Sequence, residues 1–177
     1  MRKLNLGCGA DIRKGYDNLD CVKNQGVDLI CDLNKFPYPI EEDTYDEIYA
    51  KFILEHLDNI EECLREWYRI LKKEGTLIIQ VPYDISYSAW ANFQHKRAFN
   101  LKTFKSFAKN TRKDAITQDY GLTFCFSRLK QKLWFSKGFH IFNHLLEPLF
   151  NSIQRLYEET GLRALFPAHS IIIEMIK

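Results

Sequence analysis

The chain has 177 residues, of which 46% are hydrophobic and 14% aromatic, and its formal net charge at pH 7 is +2. The apolar content is enough for one compact core, and the chain is too short for two ordinary domains. A single domain over residues 1–177 is therefore expected. No run of about 18 apolar residues occurs, and the start Met1-Arg2-Lys3 leads into a strand instead of a secretory signal. The composition predicts a cytoplasmic protein without a transmembrane segment.

The cysteines argue against both a disulfide framework and a structural zinc site. They are odd in number, widely scattered and never spaced as Cys-x-x-Cys: Cys8, Cys21, Cys31, Cys63 and Cys125. Thiolate zinc sites need closely spaced ligand pairs, so reduced, structural cysteines are expected.

The first elements are a short apolar strand over Lys3–Leu6, a glycine loop at 7–9, and a second strand that ends in the carboxylate of Asp20. This is how a Rossmann-like sheet meets a nucleoside cofactor. Asp20 lies only 11 positions beyond Gly9, whereas dinucleotide-binding folds place the acidic residue about 20 positions further on. The crossover is feasible, but it has room for at most about one turn of helix.

A long helix whose amino end binds phosphate therefore does not fit this crossover. S-adenosylmethionine has no phosphate. It needs glycines beside its amino-acid tail, a carboxylate for the ribose hydroxyls and an apolar slot for adenine, all of which the sequence supplies. The same spacing argues against the alternative of an NAD-dependent oxidoreductase.

The motifs Leu-Asn-Leu-Gly-Cys-Gly at 4–9 and Asn-Leu-Asp at 18–20 resemble those of short class I S-adenosylmethionine-dependent methyltransferases. The resemblance extends over roughly the first half of the chain, through segments 27–33, 36–39, 45–48, 54–57 and 71–77. It implies cofactor contacts by Gly7, Cys8 and Gly9 at the methionine end, Asp20 at the ribose, Asp32 and Leu33 at the adenine, and Phe52 in the pocket lining. Asn5 stands where many relatives have an acidic residue, and it is expected to hydrogen-bond the amino-acid tail.

The remaining pattern predicts the rest of an α/β fold. Buried strands are expected over 27–31, 45–50 and 76–81, and an amphipathic helix between the last two begins with Asp58 as its cap and ends at Lys72, Lys73 and Gly75. Further along, a helix over 101–109, a strand over 120–126, two short helices within 134–153 and a final strand over 170–176 are expected. The fold class is a Rossmann-like, mostly parallel open sheet with helices on both faces, a shortened first crossover and antiparallel edge strands at the C-terminal end.

Charge divides the chain into unlike parts. Residues 1–95 carry 11 Lys and Arg against 17 Asp and Glu, whereas residues 96–137 carry 11 against 2. We therefore assign 1–82 to cofactor binding and 83–177 to an acceptor that is expected to be anionic: a small molecule, a sugar or a lipid-linked saccharide. Nucleic acid is a less favoured partner. The apolar segment 134–153 is expected to cover the site, form a homodimer contact or touch a membrane surface.

Two histidines are the candidates for catalysis. His56 follows the fourth strand, and His95 heads the basic segment where acceptor loops lie in the family. Either can remove a proton near neutral pH if the acceptor must lose one. His140, His144 and Glu147 share a helical face, but no fourth ligand is evident and methyl transfer needs no metal, so no metal site is expected.

The sequence thus predicts an enzyme that transfers a methyl group from S-adenosylmethionine to oxygen or nitrogen. The alternative from a different class is a non-catalytic subunit that keeps the sheet and binds a partner or a membrane surface. The identity of the acceptor stays open, because unrelated acceptors share this fold.

Overall fold

The computed structural model describes residues 1–115, 121–135 and 140–177. Its strands are β1 (Lys3–Leu6), β2 (Asp17–Asp20), β3 (Leu29–Ile30), β4 (Tyr45–Lys51), β5 (Leu71–Pro82), β6 (Arg128–Trp134) and β7 (Ser170–Ile176). Its α-helices are α1 (Ile60–Ile70), α2 (Tyr87–Ala91), α3 (His140–Ser152), α4 (Gln154–Glu159) and α5 (Leu162–Leu165). Short 3-10 helices cover Leu54–His56, Lys105–Phe107 and Arg112–Asp114.

The strands form one sheet in the order β3-β2-β1-β4-β5-β7-β6. Strands β1 to β5 are parallel, and β7 runs antiparallel to both β5 and β6. The reversal of strand order between β1 and β4 creates the crevice where open α/β sheets bind ligands. The Rossmann-like class, its parallel body and its antiparallel C-terminal edge are confirmed.

The partner of β7 differs from the expected one. Residues 121–126 form no strand beyond an isolated bridge between Phe126 and Ala108, and the edge strand is β6. Phe124 and Phe126 are buried and contact the ring of Tyr68. Their burial in the core, and not strand pairing, accounts for the aromatic run that predicted a strand there.

Helix α1 is close to its predicted position, but both ends differ. Its N-cap is Asn59, whose side chain accepts the backbone N–H of Glu62 at 3.2 Å, and not Asp58. The helix ends at Ile70 because Leu71 is fully buried and pairs with Tyr45, which draws the chain into β5 before Gly75. The apolar face of α1 packs Cys63, Leu64 and Trp67 into the core.

The second half of the chain has less regular structure than predicted. Only Lys105–Phe107 is helical within the expected helix over 101–109, although Leu101, Phe104 and Ala108 are buried. Helix α3 continues through Pro148 as one helix, where two were expected. Buried Phe150 packs against Phe135 and so anchors the end of α3 beyond the proline. Among the described residues, no helix combines the length and apolar character needed to cross a membrane.

Candidate active site

The ends of the central strands meet at one edge of the sheet. Leu6, the last residue of β1, pairs with Leu19 of β2 and Ala50 of β4. Asp20, which ends β2, and Gly7 and Phe52, which follow β1 and β4, therefore lie at this carboxyl edge. In open α/β sheets, ligands bind at this edge, where the strand order reverses.

The glycine loop is held against β2 by its own backbone. Cys8 N–H donates to the carbonyl of Leu19 at 3.0 Å, and the N–H of Gly9 donates to the Asp20 carboxylate at 2.8 Å. Gly7 and Gly9 have positive φ angles of 58° and 49°, a conformation that favours glycine. Cys8 is buried, and burial raises the pKa of its thiol, which keeps it neutral at pH 7.

The two glycines differ in what lies beside them. A Cβ at Gly7 would stand 2.4 Å from Cγ1 of Ile53, whereas a Cβ at Gly9 would meet no atom within 4 Å. Gly7 is therefore required by packing as well as by its φ angle. Gly9 leaves open space above the loop, as a bound amino-acid tail requires.

We expect Gly7→Ala to lower the free energy of unfolding by about 2–4 kcal/mol, from left-handed strain together with overlap with Ile53. Gly9→Ala is the matched control, because it carries the same strain without the overlap and should cost about 1–2 kcal/mol. Urea unfolding of both variants measures the difference. Equal losses would show that the contact with Ile53 is unimportant.

The two predicted carboxylates lie at the ends of neighbouring strands. Asp20 accepts from Gly9 N–H through one oxygen and from Val22 N–H through the other at 3.0 Å. Asp32 follows β3, accepts from Asn34 N–H at 3.0 Å and pairs with Lys35, and this hydrogen bond and the lysine lower its pKa. Leu33 is buried, and its carbonyl accepts the hydroxyl of Tyr38 at 2.9 Å.

Side-chain hydrogen bonds replace the helix in the first crossover. Residues 7–16 contain no helix, and Asn18 Oδ1 accepts from Arg13 N–H at 2.9 Å and from Asn5 Nδ2 at 3.0 Å. The Asn18 amide donates to the carbonyls of Arg13 and Tyr16. Asn5 also donates to the Asp11 carbonyl at 2.7 Å. Both amide hydrogens of Asn5, which is 2% exposed, thus hold the crossover.

Phe52 has a strained backbone at the end of β4. Its φ is 53°, unusual for a bulky residue, and its N–H donates to the carbonyl of Gln80 on β5 at 2.8 Å. Its ring meets His169 edge to face at a centroid distance of 6.3 Å. Phe52 thus connects the glycine-loop side of the crevice with the side beyond β5.

His169 is a site residue that sequence reasoning missed. It precedes β7, and because β7 is antiparallel, its first residue Ser170 pairs with Pro82 at the carboxyl end of β5. The rings of Trp134 and Tyr87 lie 5.3 and 5.9 Å from that of His169. Burial lowers the pKa of His169. The antiparallel pairing predicted for the last strand was the signal that could have identified it.

The structure brings the two predicted catalytic histidines together. The rings of His56 and His95 are 4.7 Å apart, and His95 Nε2 lies 3.9 Å from Oε1 of Glu55, a third residue that was not predicted. Glu55 is completely buried, and burial raises the pKa of its carboxyl to about 7. Burial and the neighbouring His95 lower the pKa of His56. We call these three residues the Glu-His-His cluster.

The basic segment is not gathered at this edge. Arg128 pairs with Ile176 at the opposite end of the sheet from Trp134, so the exposed cations at the start of β6 lie away from the crevice. Cations on a sheet edge also prevent edge-to-edge pairing. Lys96 and Arg97 are different, because both contact Asp58, just after the Glu-His-His cluster. The side chains of His140 and His144, considered as metal ligands above, lie outside the described part of the structure.

These features fit S-adenosylmethionine: an open glycine loop, a carboxylate at the end of β2, and a crossover without a phosphate-binding helix. The family comparison agrees. Residues 8–79 match the model of a methyltransferase domain. No curated protein matches the chain.

Solved structures with the same fold extend the match over the whole chain. A SAM-dependent methyltransferase from Archaeoglobus fulgidus is 17% identical with a TM-score of 0.64, covering 99% of this chain and 86% of the other. A possible histamine N-methyltransferase from Thermotoga maritima is 16% identical with a TM-score of 0.59, covering 99% and 82%. A phosphoethanolamine N-methyltransferase from Haemonchus contortus, complexed with S-adenosylhomocysteine, is 14% identical with a TM-score of 0.60, covering 100% and 48%.

The chain therefore has the fold of the class I SAM-dependent methyltransferases, and its match to a methyltransferase-domain model covers residues 8–79. The methyltransferase-domain match and the shared fold together support SAM-dependent methyl transfer, with S-adenosylmethionine as the cofactor.

Proposed function

We propose that the enzyme methylates an oxygen or nitrogen atom of an anionic acceptor, with a sugar or lipid-linked saccharide as the favoured class. The supporting observation is a group of exposed aromatic rings that follows β5, beside the cations Lys96 and Arg97. Tyr87, Trp90 and Phe93 are 78%, 65% and 94% exposed. Exposed aromatic faces provide apolar platforms for the C–H face of a sugar ring, and nearby cations attract its acidic group.

We propose that the predicted cofactor residues bind S-adenosylmethionine in the crevice. The amino-acid tail would lie against the glycine loop, the ribose hydroxyls would donate to Asp20, and the adenine would lie beside the end of β3. The contributing residues are Asn5, Gly7, Cys8, Gly9, Asp20, Asp32, Leu33 and Phe52. The open space over Gly9 and the position of the half-buried Asp20 beside it support this arrangement.

The bound cofactor supplies a methyl group on an electrophilic sulfonium, so the chief task of the protein is to align the acceptor. His56 and His95 are the residues proposed to act on the acceptor atom and assist the loss of its proton. Their segment begins beside the glycine loop, because Ile53 packs on Gly7. Trp134 and His169 would form the opposite wall.

Transfer of a radioactive methyl group from S-adenosylmethionine to pairs of phosphorylated and neutral sugars tests this proposal. We expect faster transfer to the anionic member of each pair. The double variant Lys96→Ala/Arg97→Ala should raise KM for that acceptor about tenfold, as expected for loss of about 1.4 kcal/mol of ion pairing. Equal rates with neutral sugars, or transfer only to RNA, would contradict the anionic sugar. Vesicle binding without any transfer would favour the non-catalytic alternative.

We also propose that segment 134–153 forms a contact between two copies of the chain. Leu145 and Leu149 on α3 are 69% and 50% exposed, and such residues on one helix face are typical of a protein contact.

A further inference from the structure

The carboxylate of Glu55 is a buried group without compensation. Its side chain is 1% exposed, and neither carboxylate oxygen has a hydrogen-bond partner. A buried polar group in this state costs about 1–3 kcal/mol, and more if it is charged. Packing of the core does not explain an acidic residue at this position, because the neighbouring Leu54 and Leu57 already fill the core. Glu55 therefore needs a partner that binds to it.

The orientation of His95 defines what that partner must be. Its Nδ1 lies 2.9 Å from the carbonyl oxygen of Ala89, and a carbonyl only accepts, so Nδ1 carries the hydrogen. In the neutral ring, Nε2 therefore presents a lone pair to Oε1 of Glu55 at 3.9 Å. Two acceptors face each other across this gap. Only a positive species between them, a proton or a metal ion, makes the arrangement favourable.

His56 adds a third ligand atom to this gap. The possible ligand atoms of Glu55, His56 and His95 all lie within 4.8 Å of one another. Ligands bound tetrahedrally at about 2.0–2.2 Å are about 3.4 Å apart, so small side-chain rotations would bring the three to bonding distance. A carbonyl that fixes the outer nitrogen of a histidine, as Ala89 does, is the usual support of a metal ligand.

We propose that Glu55, His56 and His95 bind a divalent transition-metal ion such as Zn²⁺. Two imidazoles and one carboxylate favour this class over Mg²⁺ and Ca²⁺, which prefer all-oxygen ligands. Three protein ligands leave at least one coordination position open. The role of this open position rests on the proposed function. It would take the acceptor oxygen or nitrogen and stabilise its deprotonated form. Nearby Lys96 does not compete, because its ammonium pairs with Asp58.

Co²⁺ is the probe. It occupies zinc sites, and its d–d absorption of visible light is strong when only four or five ligands bind it. We expect chelator-treated full-length protein to bind one equivalent of Co²⁺ with d–d absorption, which Zn²⁺ then displaces. Glu55→Gln should weaken binding by at least about 100-fold, the upper range for loss of a supporting residue. It should also fold at least as well as the wild type, because it removes a buried ionisable group. Thermal unfolding without metal checks this.

His169→Gln is the matched control, since it changes a half-buried histidine outside the cluster and should leave Co²⁺ binding unchanged. Absence of Co²⁺ and Zn²⁺ binding in the wild type would overturn the proposal and assign a proton to the gap. Equal binding by Glu55→Gln would also overturn it, because the metal would then be bound outside the cluster, for example by exposed Cys21. Calorimetry with S-adenosylhomocysteine separates the two proposals: metal binding without cofactor binding would contradict the proposed function alone.

Discussion

Asp20→Ala is expected to weaken binding of S-adenosylhomocysteine by at least about 100-fold, or about 2.7 kcal/mol. Asp20 is proposed to accept both ribose hydroxyls, and each hydrogen bond to a charged group contributes about 1.5–3 kcal/mol. The variant also frees the N–H of Gly9, which the carboxylate now holds at 2.8 Å, so only the bond from Cys8 N–H to the Leu19 carbonyl still links the loop to β2. Isothermal titration calorimetry measures the change in Kd.

Two other variants separate these roles. Asp20→Asn keeps an oxygen for Gly9 N–H but removes the charge, so an intermediate loss of about tenfold is expected. Asp17→Ala is the matched control, because Asp17 begins the same strand and pairs with Arg2 at the opposite edge of the sheet. It should leave the Kd within about twofold, since the contacts of Asp17 with Arg2 and with the Tyr45 hydroxyl lie away from the cofactor edge. A similar loss in Asp17→Ala and Asp20→Ala would show that Asp20 acts only through the fold.

The cofactor side of the site was predictable because its signals are local. Gly7, Gly9 and Asp20 lie in short motifs at the ends of predicted strands, and parallel strands bring their carboxyl ends to one edge. The length of the first crossover likewise excluded a long helix, and the structure contains none there. What replaced the helix was not predicted, since the contacts of Asn18 with Asn5 and Arg13 depend on the fold of the loop.

The acceptor side was less predictable because distant segments build it. Glu55 meets His95 from the loop region beyond β5, and Phe52 meets His169 because β7 pairs with β5. The predicted N-cap of α1 was wrong because the adjacent residues Asp58 and Asn59 can both cap a helix. The backbone geometry selected Asn59. Likewise, the lysine-rich β6 has a weak strand signal, whereas the aromatic run before it, with Phe124 and Phe126, has a strong one but fills the core.

Asn18→Ala is expected to lower the free energy of unfolding by about 3–4 kcal/mol, a large part of the 5–15 kcal/mol typical of a domain. Asn18 is buried and bonds through both ends of its amide to the crossover. Its removal leaves backbone groups of Arg13 and Tyr16 without partners, at about 1–3 kcal/mol for each that water does not reach. Urea unfolding monitored by circular dichroism measures this loss.

The same variant should also weaken S-adenosylhomocysteine binding by about tenfold or more, because the crossover carries the glycine loop to Asp20. Asn151→Ala is the matched control. Asn151 makes a comparable set of bonds between α3 and β6, accepting from Leu133 N–H at 2.8 Å and donating to the carbonyls of Leu133 and Glu147. It should lose about 2–3 kcal/mol of stability yet keep the wild-type Kd, since it lies outside the cofactor crevice. If both variants change the Kd alike, cofactor affinity follows global stability; if only Asn18→Ala does, the asparagine network that replaces the crossover helix is what shapes the cofactor loop.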